Sequence, residues 1–105
     1  MTFQVRLTVE AAADLERLFD FVLERELHRQ DGDLEIAERA LQAIRFGLAS
    51  LSRSPFTCRK ASDSPFLREL VIPFGHSGYV ALFEIVDNAN VVVAAVRHQR
   101  EDDYH

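Results

Sequence analysis

The chain is poor in the residues that would tie it covalently or hold a metal. Among 105 residues there is one cysteine, Cys58, so no internal disulfide can form, a usage that fits a reducing cytoplasm. The four histidines show no paired metal-ligand spacing, so neither a metal nor another cofactor is expected. No apolar run approaches the roughly 20 residues that span a bilayer. The first stretch, MTFQVRLTVEAAADLERLFD, is charged and amphipathic and has no signal-peptide core. No membrane contact and a cytoplasmic location are therefore expected. Lysine is nearly missing, with Lys60 alone. The formal net charge of −5 has the wrong sign for a typical nucleic-acid-binding domain, whose affinity rests on phosphate contacts.

What remains is ordinary globular composition: 48% apolar and 28% charged residues, enough for one domain over residues 1–105 with a real core. The charge is uneven. Residues 1–51 carry ten acids against six bases, whereas residues 53–68 carry four bases and one acid. An anionic partner is expected to meet the second half of the chain.

TFQVRLT alternates Phe3, Val5 and Leu7 with polar residues, which predicts a half-buried strand. Thr8 can cap the helix that follows, and Glu10 suits that helix's positive end. From about residue 10 to 29, Leu15, Leu18, Phe19, Val22 and Leu23 recur at helical steps. RQDGD at 29–33 breaks the pattern, and Asp31 or Asp33 can cap a second helix bearing the stripe Ile36, Ala37, Ala40, Leu41, Ile44, Leu48 and Leu51. Residues 52–65, with two prolines and four serines, read as a loop. Three strands follow, over 66–74, 79–86 and 91–98, joined by turns at GHSG and DNAN. The expected fold is α+β: an N-terminal strand, then an antiparallel two-helix hairpin on one face of a mostly antiparallel four-stranded sheet, in the order β-α-α-β-β-β. Leu18, Val22, Ile44, Leu48, Phe83 and Val93 should meet in its core.

The sheet's second face carries information about function. In the last strand both alternating sets are apolar: Val91, Val93 and Ala95, and Val92, Ala94 and Val96. In the strand before it, Tyr79, Ala81, Phe83 and Ile85 oppose Val80, Leu82 and Val86. One helical layer covers one face, so the other is left as an apolar patch of the kind that marks an interaction site, unless the 52–65 loop or a chain end folds over it.

Three segments carry a resemblance. Leu7, Thr8, Ala11, Asp14 and Leu15 match an LT-x-x-A-x-x-DL opening. Arg68 and Leu70 match an R-x-L strand, and Tyr79 with Phe83 stands where a Y-x-x-x-Y run is usual. Val96, His98 and Arg100 match a closing V-x-H-x-R. In this order they resemble the RelE/ParE superfamily of type II toxin–antitoxin toxins, often labelled plasmid stabilization proteins. The resemblance implies a toxin that arrests growth unless a cognate antitoxin neutralises it, as a toxin–antitoxin hetero-oligomer or a homodimer when free. It leaves two mechanisms: RelE-like members cut mRNA in the ribosome, and ParE-like members poison DNA gyrase.

Metal-free RNA cleavage needs a group to take the 2′-hydroxyl proton, cations for the charged phosphorane and an acid for the leaving oxygen. The candidates for it are Arg59, Lys60, Arg68, Arg97, His98, Arg100 and Tyr104, with His105 beside them. Against it stand the single lysine, the net charge, and the acids Glu101, Asp102 and Asp103 beside the tail. The ParE-like reading is therefore favoured, with Arg68, Tyr79, Phe83, Arg97, His98, Arg100 and Tyr104 as partner contacts rather than catalysts. A third reading is an antitoxin-binding module with no toxic activity. Arg97 and Arg100 are expected to form a fork for carboxylates that Asp102 or Asp103 fills in the free protein, and Tyr104 and His105 to fray. Plainer roles exist for each: Arg68 and Glu69 as a surface pair worth at most about 1 kcal/mol, His98 as a lock on the last strand, and Cys58 as an inert thiol despite Arg59 and Lys60 beside it.

Overall fold

The structure, a computed structural model, describes residues 2–101 together with 103 and 104. The chain runs β1 (Gln4–Leu7), α1 (Val9–Leu27), α2 (Glu35–Ala49), β2 (Arg59–Lys60), β3 (Leu67–Phe74), β4 (Ser77–Ile85) and β5 (Asn90–His98). The α+β class agrees with the sequence reading, and the elements follow in the expected order apart from β2. The sheet has five strands rather than four, in the order β1-β5-β4-β3-β2, parallel only between β1 and β5.

The extra strand lies in the segment expected to be a plain loop. After two short 3-10 turns, Ser50–Ser52 and Pro55–Thr57, Arg59 and Lys60 pair with β3 at the sheet edge. Two adjacent basic residues carry no alternation that would reveal a strand. A side chain from the neighbouring strand organises it. Arg68 donates to the carbonyls of Pro65 (2.7 Å), Cys58 (2.7 Å) and Phe56 (3.1 Å) and lies over the Phe56 ring.

Thr8 starts α1 as predicted: its hydroxyl accepts from the Ala11 N–H at 3.0 Å and donates to the Ala94 carbonyl at 3.1 Å. One side chain thus caps a helix and ties it to the last strand. The turn between the helices is built on Glu26, whose side chain is fully buried. It accepts from the Asp33 N–H (3.1 Å), Arg25 (3.0 Å) and Arg29 (3.1 Å), and the Asp33 N–H, ahead of the two arginines, holds its carboxyl below the usual range. A Cβ at Gly32 would fall 1.7 Å from the Glu26 carbonyl oxygen, so only glycine closes this turn. Asp33, just ahead of α2, accepts from the N–H of Glu35, the helix's first residue, at 3.0 Å. The β3–β4 turn is a two-residue loop with Gly75 at φ 62°, a conformation in which a Cβ is strained.

The six expected core residues, Leu18, Val22, Ile44, Leu48, Phe83 and Val93, are all buried between the helices and the sheet. The alternation in β5 is not the regular one read from the sequence. Phe83 faces Val93 while Leu82 faces Ala95, so Ala94 is an extra residue in a β-bulge. The bulge moves Val96 and His98 to the helix side, with Val91 and Val93, and turns Ala95 and Arg97 to the open face. The Val96 N–H is met by the buried carboxylate of Asp14 on α1 at 2.9 Å.

Two stability predictions follow from this packing. Leu48→Ala should cost about 2–5 kcal/mol in denaturant unfolding, because α2 is too constrained to collapse into the space. Asp14→Ala should cost about 1–3 kcal/mol by leaving the buried Val96 N–H without its acceptor. An Asp14→Ala protein as stable as wild type would mean that another group satisfies the bulge.

Candidate functional site

The bulge divides the sequence-predicted site residues between two faces. On the open face, Arg59, Glu69, Leu82 and Ala95 lie in one row across β2–β5, with Val80 and Arg97 in the next row along β4 and β5. Tyr104 bridges the two rows. Its hydroxyl donates to Glu69 at 2.5 Å, and its ring lies under the Arg97 guanidinium, 4.9 Å from the centroid. Arg59 donates to the other Glu69 oxygen at 3.0 Å. Burial, and then the Glu69 carboxylate beside it, push the Tyr104 phenol well above its usual range.

Tyr104 is therefore docked rather than frayed. Aromatic area and a charge-assisted hydrogen bond hold it to the sheet. The chain end crosses the middle of the apolar face, where Val80 and Ala95 are buried, while Val71 and Val86 stay exposed. Arg97 also donates to the carbonyls of Glu101 (2.6 Å), His98 (3.2 Å) and Gln99 (3.4 Å), which holds the turn after β5. Its Nε is buried without a hydrogen-bond partner among the described residues. Arg97 and Arg100 form no fork. The expected part of Asp102 in filling one, like the fraying of His105, lies outside the described residues.

Glu69 is the residue the sequence reading misplaced. It was paired with Arg68, but neighbours on a strand point to opposite faces. Arg68 and Lys60 lie on the helix side, and Arg68 is engaged with the 52–65 segment. Phe83 is fully buried under the helices and offers a partner no surface, and Tyr79 is only 3% exposed. Cys58 is half-buried, and burial pushes its thiol up despite Arg68 nearby.

On the helix side, a cleft of about 1190 Å³ opens between α1 and the β3–β4 hairpin. Arg17, Arg25, Arg29, Arg39 and Arg100 line it, with Glu101 as the sole acid among its lining residues. The arginines of this cleft thus come mainly from the acidic first half of the chain, not from residues 53–68, and four of them have carboxylate partners: Arg17 with Glu101, Arg25 and Arg29 with Glu26, and Arg39 with Asp33. Part of the signal was present as spacing: Arg17, Phe21 and Arg25 stand four apart on one face of α1, and Arg29 follows just past its end.

His98 sits at the inner end of this cleft. Its Nδ1 accepts from the Arg100 N–H at 3.1 Å, so the neutral ring carries its hydrogen on Nε2 and donates to the Ser77 hydroxyl at 3.0 Å. The ring stands edge-on to Tyr79, 5.6 Å between centroids. Neither ring nitrogen is free to take a proton from a substrate. Among the described residues no group of three or more His, Cys, Asp or Glu is placed to hold a metal, and no helix is long and apolar enough to cross a membrane.

The chain resembles known proteins over nearly its whole length. Residues 5–103 match the family model of the ParE toxin of type II toxin–antitoxin system, parDE. Toxin RelE1 of Caulobacter vibrioides is 34% identical over 101 residues, which is 96% of this chain and 98% of that one. A solved structure titled as the chromosomal ParDE TA system from P. aeruginosa superposes with a TM-score of 0.70 at 20% identity, covering 92% of this chain and 96% of the other, and so shares the fold.

The His98 environment generates a pH prediction. Burial first, then Arg100, lower its pKa below 6.5; Glu101 opposes them, and Arg25 adds the smallest lowering. A folded-state value below the unfolded one means that the unfolded chain binds more protons. Stability is fully present above about pH 6.5 and falls as pH drops through the lowered value. His98→Gln should flatten this part of the stability profile in denaturant titrations from pH 7.5 to 5. An unchanged slope would place the titrating group elsewhere.

Proposed function

The chain belongs to the ParE toxin family of type II toxin–antitoxin systems, and we propose that it is a ParE-like growth-arrest toxin that inhibits DNA gyrase in the cytoplasm and is neutralised by a cognate antitoxin. The observation that carries this reading is the carboxylate at the centre of the open-face cluster. Glu69 occupies the place where a phosphate-cleaving site needs uncompensated positive charge, and it accepts from both Arg59 and Tyr104. Arg97 is committed to three carbonyls of the chain end. His98 has both nitrogens engaged, and the net charge of −5 opposes docking on an RNA surface. These groups suit holding a shape against a protein target better than moving protons on RNA.

One observation favours the second reading, a ribosome-dependent mRNA endonuclease. Three of the sequence-predicted cleavage residues are neighbours: Arg59 and Tyr104 meet on Glu69, and Arg97 lies over the Tyr104 ring. With the chain end seated, two cations, a carboxylate and a phenol stand on one surface.

Induction of the chain alone in bacteria separates the readings. The expected result is growth arrest with gyrase-dependent DNA breaks and induced DNA-damage signalling, with toxicity retained in Tyr104→Phe. Cut ribosome-bound mRNA, together with loss of toxicity in a folded Tyr104→Phe protein, would establish the endonuclease reading instead. Normal growth with soluble, folded protein would leave only an antitoxin-binding module.

A further inference from the structure

Beyond the toxin reading, we propose that the free edge of the sheet at β1 is a self-association surface, on which a second copy of this chain pairs antiparallel about Arg6. β1 lies at one edge of the sheet and pairs only with β5. In that ladder the Gln4 N–H bonds the Ala89 carbonyl and the Thr8 N–H bonds that of Val93, so residues 4, 6 and 8 direct their backbone groups inward. Val5 and Leu7 therefore aim theirs outward, where no backbone partner among the described residues meets them. A row of outward N–H and C=O groups is a template for another strand. The row is short: the next outward N–H, that of Phe3, is already taken by the Ser52 carbonyl at 2.7 Å.

The occupant follows from the chain's own pattern. Two outward residues with one between them pair with an inverted copy of themselves: Val5 opposite the partner's Leu7, and Leu7 opposite the partner's Val5, each pair exchanging both backbone bonds. No other register uses both, since Phe3 is engaged and α1 begins at Val9. The opposite edge suits a second copy poorly, because β2 has two residues and both, Arg59 and Lys60, are basic. The side chains agree with this choice. Val5 and Leu7 stand on the helix side, in register with Val91 and Val93, at the foot of a groove of about 590 Å³. Leu15 and Phe19 of α1 and Leu41 and Leu48 of α2 wall it. Leu7 is 38% exposed, so a second apolar strand laid alongside covers surface that one copy leaves in water. The groove shares no lining residue with the arginine cleft.

Charge on the groove selects the same arrangement. Glu16 of α1 and Arg45 of α2 line it, and neither has an ion pair or hydrogen bond among the described residues. α1 leaves from the Leu7 end of β1, and Ser52, after α2, is bonded to Phe3 at the other end. Antiparallel pairing reverses β1, and a two-fold axis perpendicular to the sheet keeps both helical layers on one side. α1 of each copy then faces α2 of the other, so that Glu16 meets the partner's Arg45 and the contact occurs twice. One feature opposes association: Arg6 meets the partner's Arg6 across the open face, a like-charge pair. Arg6 thereby limits the strength of the dimer, and its population depends on protein concentration.

The test is sedimentation velocity of the purified chain over a concentration series, with thermal melts to confirm that each variant is folded. Wild type should pass from monomer to dimer and stop there, because two-fold pairing uses the β1 edge of both copies. Leu7→Pro should hold the chain monomeric, since it removes an outward N–H and leaves the inward ladder to β5 intact. Arg6→Gln should tighten the dimer several-fold by removing the like-charge pair. Glu16→Arg and Arg45→Glu should each weaken it roughly tenfold, as attraction turns to repulsion at two symmetric contacts. An equimolar mixture of these two variants should recover wild-type association, because each supplies the charge that the other lacks. A wild-type chain that stays monomeric up to its solubility limit or grows beyond the dimer would overturn the proposal. So would a Leu7→Pro protein that still dimerises, an Arg6→Gln protein no tighter than wild type, or charge variants that fail to rescue each other. The readout is the mass of the purified chain, so it is independent of whether growth arrest runs through gyrase or mRNA.

Discussion

Everything that distinguishes the two faces of this protein depends on one hydrogen bond between a helix and a bulged strand. The bulge at Ala94 takes the Val96 N–H out of the regular ladder, and buried Asp14 on α1 supplies its acceptor. Thr8 holds the same bulge from the other side, with its N–H on the Val93 carbonyl and its hydroxyl on that of Ala94. A buried N–H without a partner is costly, so the bulge is stable only while α1 is in place. Helix position and strand register are therefore one decision. The functional consequence is parity: after the bulge, His98 enters the cleft and Arg97 emerges on the open face.

The charges follow from this geometry. A chain of net charge −5 gathers five arginines at one cleft because folding sorts residues by face, and carboxylates pair with four of them. Arg25 and Arg29 are held in place by Glu26, whose buried carboxylate is also the anchor of the helix–helix turn. The group that closes the hairpin thus fixes the arms of the two arginines beside it. On the opposite face Glu69 plays a comparable part for Arg59 and Tyr104. Each positive surface is built around a carboxylate that sets its shape and moderates its charge.

Glu101 joins the two surfaces through its two ends. Its side chain belongs to the cleft and its carbonyl to the Arg97 seat. Glu101 and Tyr104 are held by polar contacts and one aromatic ring rather than by core packing. A segment held in this way can change position at small cost while the sheet beneath remains intact.

The sequence by itself determined the α+β class, the order of elements, the two helices, the cap at Thr8 and the six-residue core, because these depend on local periodicity and capping chemistry. Its residue pattern also carried the family, through Leu7, Thr8, Asp14, Arg68, His98 and Arg100 standing in the right order. Tertiary structure decided the rest. The strand at Arg59–Lys60 exists because Arg68 gathers the carbonyls around it, which no local pattern encodes. Phe83 and Tyr79 look like partner contacts in a list of motif residues and become core once the helices are placed. Tyr104 is ordered by Glu69, 35 residues away. The face on which Arg97 and His98 emerge was set by a single extra residue in β5, and two runs of small apolar side chains, valine and alanine on both alternations, cannot show where that residue lies until Asp14 fixes it from α1.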